Sequence, residues 1–196
     1  MAQRTLFTVG HSTRSWREFV DLLHAWKIAT LVDVRTVPKS RTFPWFSQAR
    51  MTRALPAAGI QYVHLPALGG LRHAKRDLPN TGWQNASFRG YADYMQTEAF
   101  EQGLAELNAL RRQQRVCIMC SEAVWWRCHR RMIADAELAR RIPVKHLMSA
   151  TKATPHEMTP FAVLRRRRGH PAQITYPQPV AEGPRSSKAR RASSSS

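Results

Sequence analysis

Residues 115–130 read RVCIMCSEAVWWRCHR, an apolar run that turns into a helix pattern. Arg115 to Cys120 reads as a strand that is apolar without alternation, the pattern of a strand covered on both faces of its sheet. The run breaks at once into Ser121-Glu122. From Arg127 to Arg141 the chain then reads as a helix, with Met132, Ile133, Ala136 and Ala139 on the inward face. A two-sided strand feeding a helix is the repeating unit of a parallel α/β sheet.

Working outward, the same unit recurs. Thr5 to Val9 is a short β-rich run ending at Gly10-His11-Ser12. Ser15 and Glu18 then have the spacing of a capping box, and Trp16, Phe19, Val20, Leu23 and Trp26 share one helical face. Thr30 to Val34 and Ile60 to Leu65 read as the second and third strands. Between them lies a loop (36–46) rich in proline, arginine and aromatics, followed by a helix over 47–58 that Pro56 shortens and Gly59 stops. Residues 66–90 read as irregular, and one or two helices are expected from about Tyr91 to Arg112. Val144 to Met148 is the fifth strand. The expectation is an α/β fold: a single domain over 1–150 with a mostly parallel sheet of about five strands and helices on both faces. Residues 151–178 read as a C-terminal extension of that domain, with a hairpin pairing 161–164 and 173–176. Residues 179–196 (PVAEGPRSSKARRASSSS) cannot form a core and read as a disordered basic tail.

Composition agrees with a folded chain. Of 196 residues 43% are hydrophobic, which excludes wholesale disorder. No apolar run approaches the roughly 18 residues of a membrane helix, and MAQRTLFTVG lacks a secretory pattern. Three cysteines do not make a disulfide framework, so a reducing cytoplasm is the expected setting. The net charge is +18, and with 27 basic and 12 acidic residues outside 179–196 the rest of the chain keeps +15. A surface of that kind, dominated by arginine, attracts phosphate and other polyanions.

In a doubly wound sheet, ligands bind beyond the carboxyl ends of the strands. Three such ends carry polar groups: His11-Ser12, Asp33 with Arg35, and Cys120-Ser121-Glu122. Cys120 is the candidate nucleophile, with Glu122 or His11 as general acid/base. Arg35, Arg130 and the free N–H groups opening the following helix are the candidate anion contacts. Glu122, directly after a buried strand, is expected to be partly desolvated and paired with Arg35, Arg127 or Arg130. Each residue also has a plainer reading. Cys117 lies three strand positions from Cys120, faces the other way, and is expected in the core. Asp33 and Arg35 also read as a buried ion pair, and His11 as a cap. Cys120, Cys128 and His129 include zinc-type donors, but their spacing matches no common finger and lacks a fourth ligand, so no metal is assigned. Six residues separate Cys120 from Arg127, one more than the phosphatase signature C-x5-R, which argues against that mechanism. Trp45, Trp83, Trp125 and Trp126 alternate with Arg41, Arg72, Arg89 and Arg127, as on a nucleobase-stacking surface or simply as a packed lid.

These segments, taken in order, carry a resemblance. Phe7-Thr-Val-Gly-His-Ser12, Leu31-Val-Asp-Val-Arg35 with Pro38 and Arg41, and Tyr62-Val-His-Leu-Pro66 with Leu68-Gly-Gly70 come first. Phe88-Arg-Gly-Tyr91 and Met119-Cys-Ser-Glu122 with Cys128-His-Arg130 follow, and then Pro155-His-Glu-Met-Thr-Pro160 and Ile174-Thr-Tyr-Pro177. Over residues 5–178 the chain resembles the domain of unknown function 488 family, departing at Ser121, where alanine is expected. The resemblance implies a single α/β domain, a bacterial cytoplasmic setting and a polar pocket. The pocket residues would be Gly10, His11 and Ser12, then Asp33 and Arg35, Cys120 and Glu122, and Cys128, His129 and Arg130. It implies no substrate, and no cofactor is expected. The residues themselves leave three readings: an enzyme or binder for a small anionic, phosphate-bearing or nucleotide-like molecule; a nucleic-acid-binding or nucleic-acid-processing protein; and a partner-binding module whose pocket Trp125 and Trp126 close.

Overall fold

The computed structural model describes residues 5–73, 79–166, 168–169 and 172–178. Five parallel strands form the sheet: β1 (Leu6–Gly10), β2 (Thr30–Asp33), β3 (Gln61–His64), β4 (Val116–Cys120) and β5 (Val144–Leu147). Their order is β3-β2-β4-β1-β5, and a sixth strand, β6 (Ala153–Pro155), pairs antiparallel with β5 at the edge. The sequence reading missed β6. It is three residues long without apolar alternation, and pairing such as His146 opposite Thr154 makes it a strand.

The helices are α1 (Trp16–Ala25), α2 (Gln48–Ala57), α3 (Ala86–Tyr94), α4 (Glu98–Gln113) and α5 (Arg130–Ala139). Alternation along the strands assigns them to faces. Phe7, Val9, Leu31, Cys117 and Met119 pack with Phe19, Leu22 and Leu23 of α1 and Met51 and Leu55 of α2. Leu6, Val32 and Ile118 point the other way, onto α4 (Phe100, Leu104, Leu107) and α5 (Met132, Ile133, Ala136). Burying each large apolar side chain here stabilises the fold by roughly 2 kcal/mol.

Local chemistry sets the helix ends. Ser15 and Glu18 make the expected capping box, with Ser15 N donating to Glu18 Oε2 at 2.8 Å. Asn85 caps α3 by accepting from Ser87 N at 2.8 Å, so the irregular stretch ends five residues earlier than its glycines suggest. Gly90, the last residue of the stretch read as irregular, is instead buried inside α3. Pro56 is carried within α2, and Gly59 at φ 73° makes the turn after it. At the start of α5 a 3-10 turn, Trp125–Arg127, and an extended Cys128 precede the helix, which begins at Arg130 rather than Arg127.

One buried carboxylate gathers several contacts from the extension. Asp135 on α5 is fully buried and accepts from Thr159 N (2.9 Å), Thr159 Oγ1 (2.7 Å), Tyr176 OH (2.9 Å) and His156 Nε2 (2.9 Å). Beyond it β7 (Val163–Arg165) and β8 (Gln173–Thr175) form the hairpin, Leu164 opposite Ile174. The expected tail over 179–196 lies outside the described residues. Among the described residues no helix is long and apolar enough to cross a membrane.

Candidate functional site

The strand order places a crevice. The chain leaves β2 toward the β3 edge and leaves β4 toward β5, so the neighbouring carboxyl ends of β2 and β4 diverge. A cavity of about 300 Å³ opens there, lined by Arg35 and Thr36 after β2 and by Cys120, Ser121 and Glu122 after β4. That volume suits a small molecule. Cys120, Cys128 and His129 form its buried floor, and the exposed Lys39 and Arg127 stand at its rim.

Two glycines permit the packing. A Cβ on Gly10 would overlap the Glu122 carbonyl oxygen, so the end of β1 can approach the segment after β4 only as glycine. His11 N and Ser12 N continue that contact by donating to the carbonyls of Cys120 (3.0 Å) and Ser121 (2.9 Å). A Cβ on Gly70 would lie 2.5 Å from His129 Nδ1 and 2.8 Å from Cγ, so only a glycine lets this segment pack against the face of the imidazole.

Asp33 and Arg35 form a buried pair. Arg35 Nε donates to Oδ1 at 2.9 Å and Nη2 to Oδ2 at 2.6 Å, while Tyr62 OH donates to Oδ2 at 2.8 Å. Nη2 also donates to the Phe46 carbonyl at 2.8 Å. Burial works against the guanidinium charge, but the Asp33 carboxylate outweighs it and raises the Arg35 pKa. Most of the donors expected to hold an anion are thus already committed. His11 completes this unit and does not line the cavity. Its ring stacks on Phe46 at 4.1 Å between centroids. Nδ1 donates to the Ser12 carbonyl at 3.0 Å, which leaves Nε2 as the acceptor facing Arg35 Nη1 at 3.4 Å. Burial lowers its pKa to about 4, so the ring is neutral at pH 7.

The sulfur groups are arranged differently. Cys117 is fully buried on the other face, as its strand position requires, and burial raises its pKa. Cys128 Sγ lies 3.6 Å and Cys120 Sγ 4.0 Å from His129 Nδ1. His129 Nε2 faces the Val34 carbonyl at 3.0 Å and must donate to it, so Nδ1 is the ring nitrogen turned to the two sulfurs. Arg130 is 1% exposed, and among the described residues no carboxylate pairs with it. Its Nε donates to Cys128 Sγ at 3.4 Å, Nη1 to Thr8 Oγ1 at 3.4 Å, and Nη2 to the Glu122 carbonyl. Burial opposes a Cys128 thiolate, yet the hydrogen bond from Cys120 and the Arg130 charge prevail and bring its pKa down to about 6. The same hydrogen bond and burial push Cys120 up to about 12. The arrangement therefore favours a thiolate on Cys128 over one on Cys120, the expected nucleophile. Spacing could not show this, because the guanidinium that decides it touches only Cys128.

Other expectations land elsewhere. Glu122 is exposed rather than desolvated, and its carboxylate accepts from Val124 N at 3.2 Å, while the arginine contact goes to its backbone. Arg41 is exposed and does not line the cavity, and Ser12 is half-buried with φ 49°. Trp83 is buried against Phe88, Phe161 and Tyr176. Trp125 stacks on His146 at 4.0 Å, and neither it nor Trp126 closes the cavity. Lys39, Gly70 and Phe88 line the cavity but were not singled out as site residues; Gly70 and Phe88 sit inside quoted motifs, which was the available signal. Also missed was a buried chain behind Arg130. Thr8 Oγ1 meets His146 Nδ1 at 2.8 Å, and His146 Nε2 meets His156 Nδ1 at 3.1 Å, which leads to Asp135. Burial and the neighbouring His156 lower the His146 pKa to about 2, so that ring stays neutral.

Fold and cavity together define an α/β protein with a crevice at the switch point of a doubly wound, mostly parallel sheet. The chain belongs to the family described as Domain of unknown function DUF488, whose family model matches residues 15–137. That span holds Asp33, Arg35 and the whole Cys120–Arg130 segment, but not His11 or the extension. No curated protein and no solved structure matches the chain.

Proposed function

We propose that the cavity takes a small anionic ligand, phosphate-bearing or nucleotide-like, and that the protein acts on it as an enzyme. Arg127 and Lys39 meet the anion, and the sulfur and imidazole groups of the floor supply the chemistry. One observation carries this reading. Two exposed cations line a cavity that has the buried Arg130 behind its floor, and Glu122, the one carboxylate among the lining residues, caps Val124 N. In a partly desolvated crevice such a charge excess favours an anion strongly. Arg35 acts here as scaffold, since Asp33 already holds it.

The test is calorimetry and thermal shift with phosphate, pyrophosphate, sulfate and nucleotides. At least one should bind, and Arg127→Ala should weaken it about tenfold, the loss of one charge-assisted contact. No binding by any of them, or binding indifferent to Arg127→Ala and Lys39→Ala, refutes the reading. The +15 charge outside the tail and the exposed Trp126 favour single-stranded nucleic acid as a second ligand class. That reading requires affinity to fall steeply between about 50 and 200 mM salt, as counterion release demands.

A further inference from the structure

We propose that Cys120, Cys128 and His129 form a binding site for a soft divalent cation, zinc being the best match, with its fourth position open to the cavity. Only the role of that fourth position rests on the anion reading above.

The donor atoms, two sulfurs and one nitrogen, all lie within 4.8 Å of one another. A tetrahedral zinc with sulfur at about 2.3 Å and nitrogen at about 2.0 Å sets its ligands roughly 3.5–3.8 Å apart. The sulfur-to-nitrogen distances of 3.6 and 4.0 Å need only a few tenths of an ångström of contraction. The imidazole is already oriented as a ligand, because donation from Nε2 to the Val34 carbonyl fixes both the ring and the tautomer that presents Nδ1. Gly70, with no Cβ to overlap the ring, lets the chain pack against the face of His129 in that orientation. Arg130 Nε, donating to Cys128 Sγ, is the kind of outer hydrogen bond that steadies a metal thiolate.

The donor set selects the ion. Two thiolates and an imidazole are too soft for magnesium or calcium and suit zinc, with three protein ligands leaving one position for water or substrate. Charge balances as well. Binding releases the Cys120 thiol proton to solvent, and two thiolates then neutralise the dication, so Arg130, Arg127 and Lys39 still favour an anion at the open position. An anionic oxygen there would be polarised by the metal and held by the rim.

The experiment uses the full chain, stripped by a chelator under reducing conditions and titrated with Co²⁺ and then Zn²⁺. One equivalent of cobalt should produce a thiolate-to-cobalt charge-transfer band with intense four-coordinate d–d bands, and zinc should abolish both. Cys120→Ser, Cys128→Ser and His129→Gln should each weaken cobalt binding more than tenfold, whereas Cys117→Ala should leave the band in place. X-ray absorption on the wild-type zinc form avoids any folding defect in the variants and should show two sulfurs at about 2.3 Å. No charge-transfer band, or a zinc shell without sulfur, overturns the proposal. Cobalt bands with no anion binding leave the metal site standing and remove the pocket reading; anion binding without cobalt bands does the reverse.

Discussion

Replacing Asp33 by asparagine tests whether the Asp33–Arg35 pair is scaffold. Asp33 is fully buried and Arg35 is 6% exposed, so neither charge is solvated. The carboxylate accepts from Arg35 N (3.1 Å), Arg35 Nε (2.9 Å), Arg35 Nη2 (2.6 Å) and Tyr62 OH (2.8 Å). An amide keeps one of these oxygens and replaces the other with a donor facing further donors. Arg35 is left as a buried cation with no counter-charge on Asp33, a defect that costs about 3–5 kcal/mol. Against a typical domain stability of about 5–15 kcal/mol this is a large share. With a urea slope near 2 kcal/mol/M, the midpoint should fall by about 2 M. Urea melts followed by far-UV circular dichroism and tryptophan fluorescence measure it. Adding phosphate should not restore the midpoint. A fall below about 0.5 M at that slope would refute the reasoning, since it would mean that Arg35 finds another counter-charge or is not desolvated.

Three further outcomes follow from the same geometry. Glu137 is fully buried, and burial raises its pKa from 4.5 to about 7 despite Asn108 donating to both oxygens. Its protonated form is therefore favoured by folding, a contribution complete below about pH 4.5 and lost as pH rises through 7, worth roughly 3 kcal/mol. Urea melts at about pH 5 and pH 8.5 should accordingly show a smaller loss of stability in Glu137→Gln than in wild type; equal losses contradict the assignment. Glu122→Gln should leave the urea midpoint unchanged and strengthen phosphate binding a few-fold, because an exposed carboxylate leaves the cavity; calorimetry reads the second effect, and a large destabilisation would mean the carboxylate is paired. Gly70→Ala places a methyl 2.5 Å from His129 Nδ1 and should displace the ring, lowering cobalt affinity more than tenfold while circular dichroism stays native; unchanged affinity would show that the ring need not hold this position.

The central strands of the sheet were legible because they are buried on both sides. Val116 to Cys120 and Leu31 to Asp33 carry that burial in their residue types, and Ser15-Glu18 and Ala136-Ala139 mark helices by local spacing alone. What depends on tertiary pairing was not. β6 exists only beside β5, and α3 hides behind Gly90 because a nine-residue helix shows little more than two turns of pattern. The site divides along the same line. Its location at the ends of β2 and β4 followed from the polar residues there. The difference between Cys120 and Cys128 rests on Arg130 Nε, which reaches one sulfur and not the other. The exposure of Glu122 likewise depends on its main chain, not its side chain, meeting Arg130. Burial and partner, rather than residue type, set these roles.

The central claim is that the crevice between β2 and β4 receives an anion, and the most direct measurement is a crystal structure of the protein soaked with pyrophosphate. The account predicts density for the anion inside the cavity, with oxygens in hydrogen-bond contact with Arg127 and directed at the floor formed by Cys120, Cys128 and His129. Pyrophosphate bound only elsewhere on the basic surface, with the cavity holding nothing but water, would contradict it.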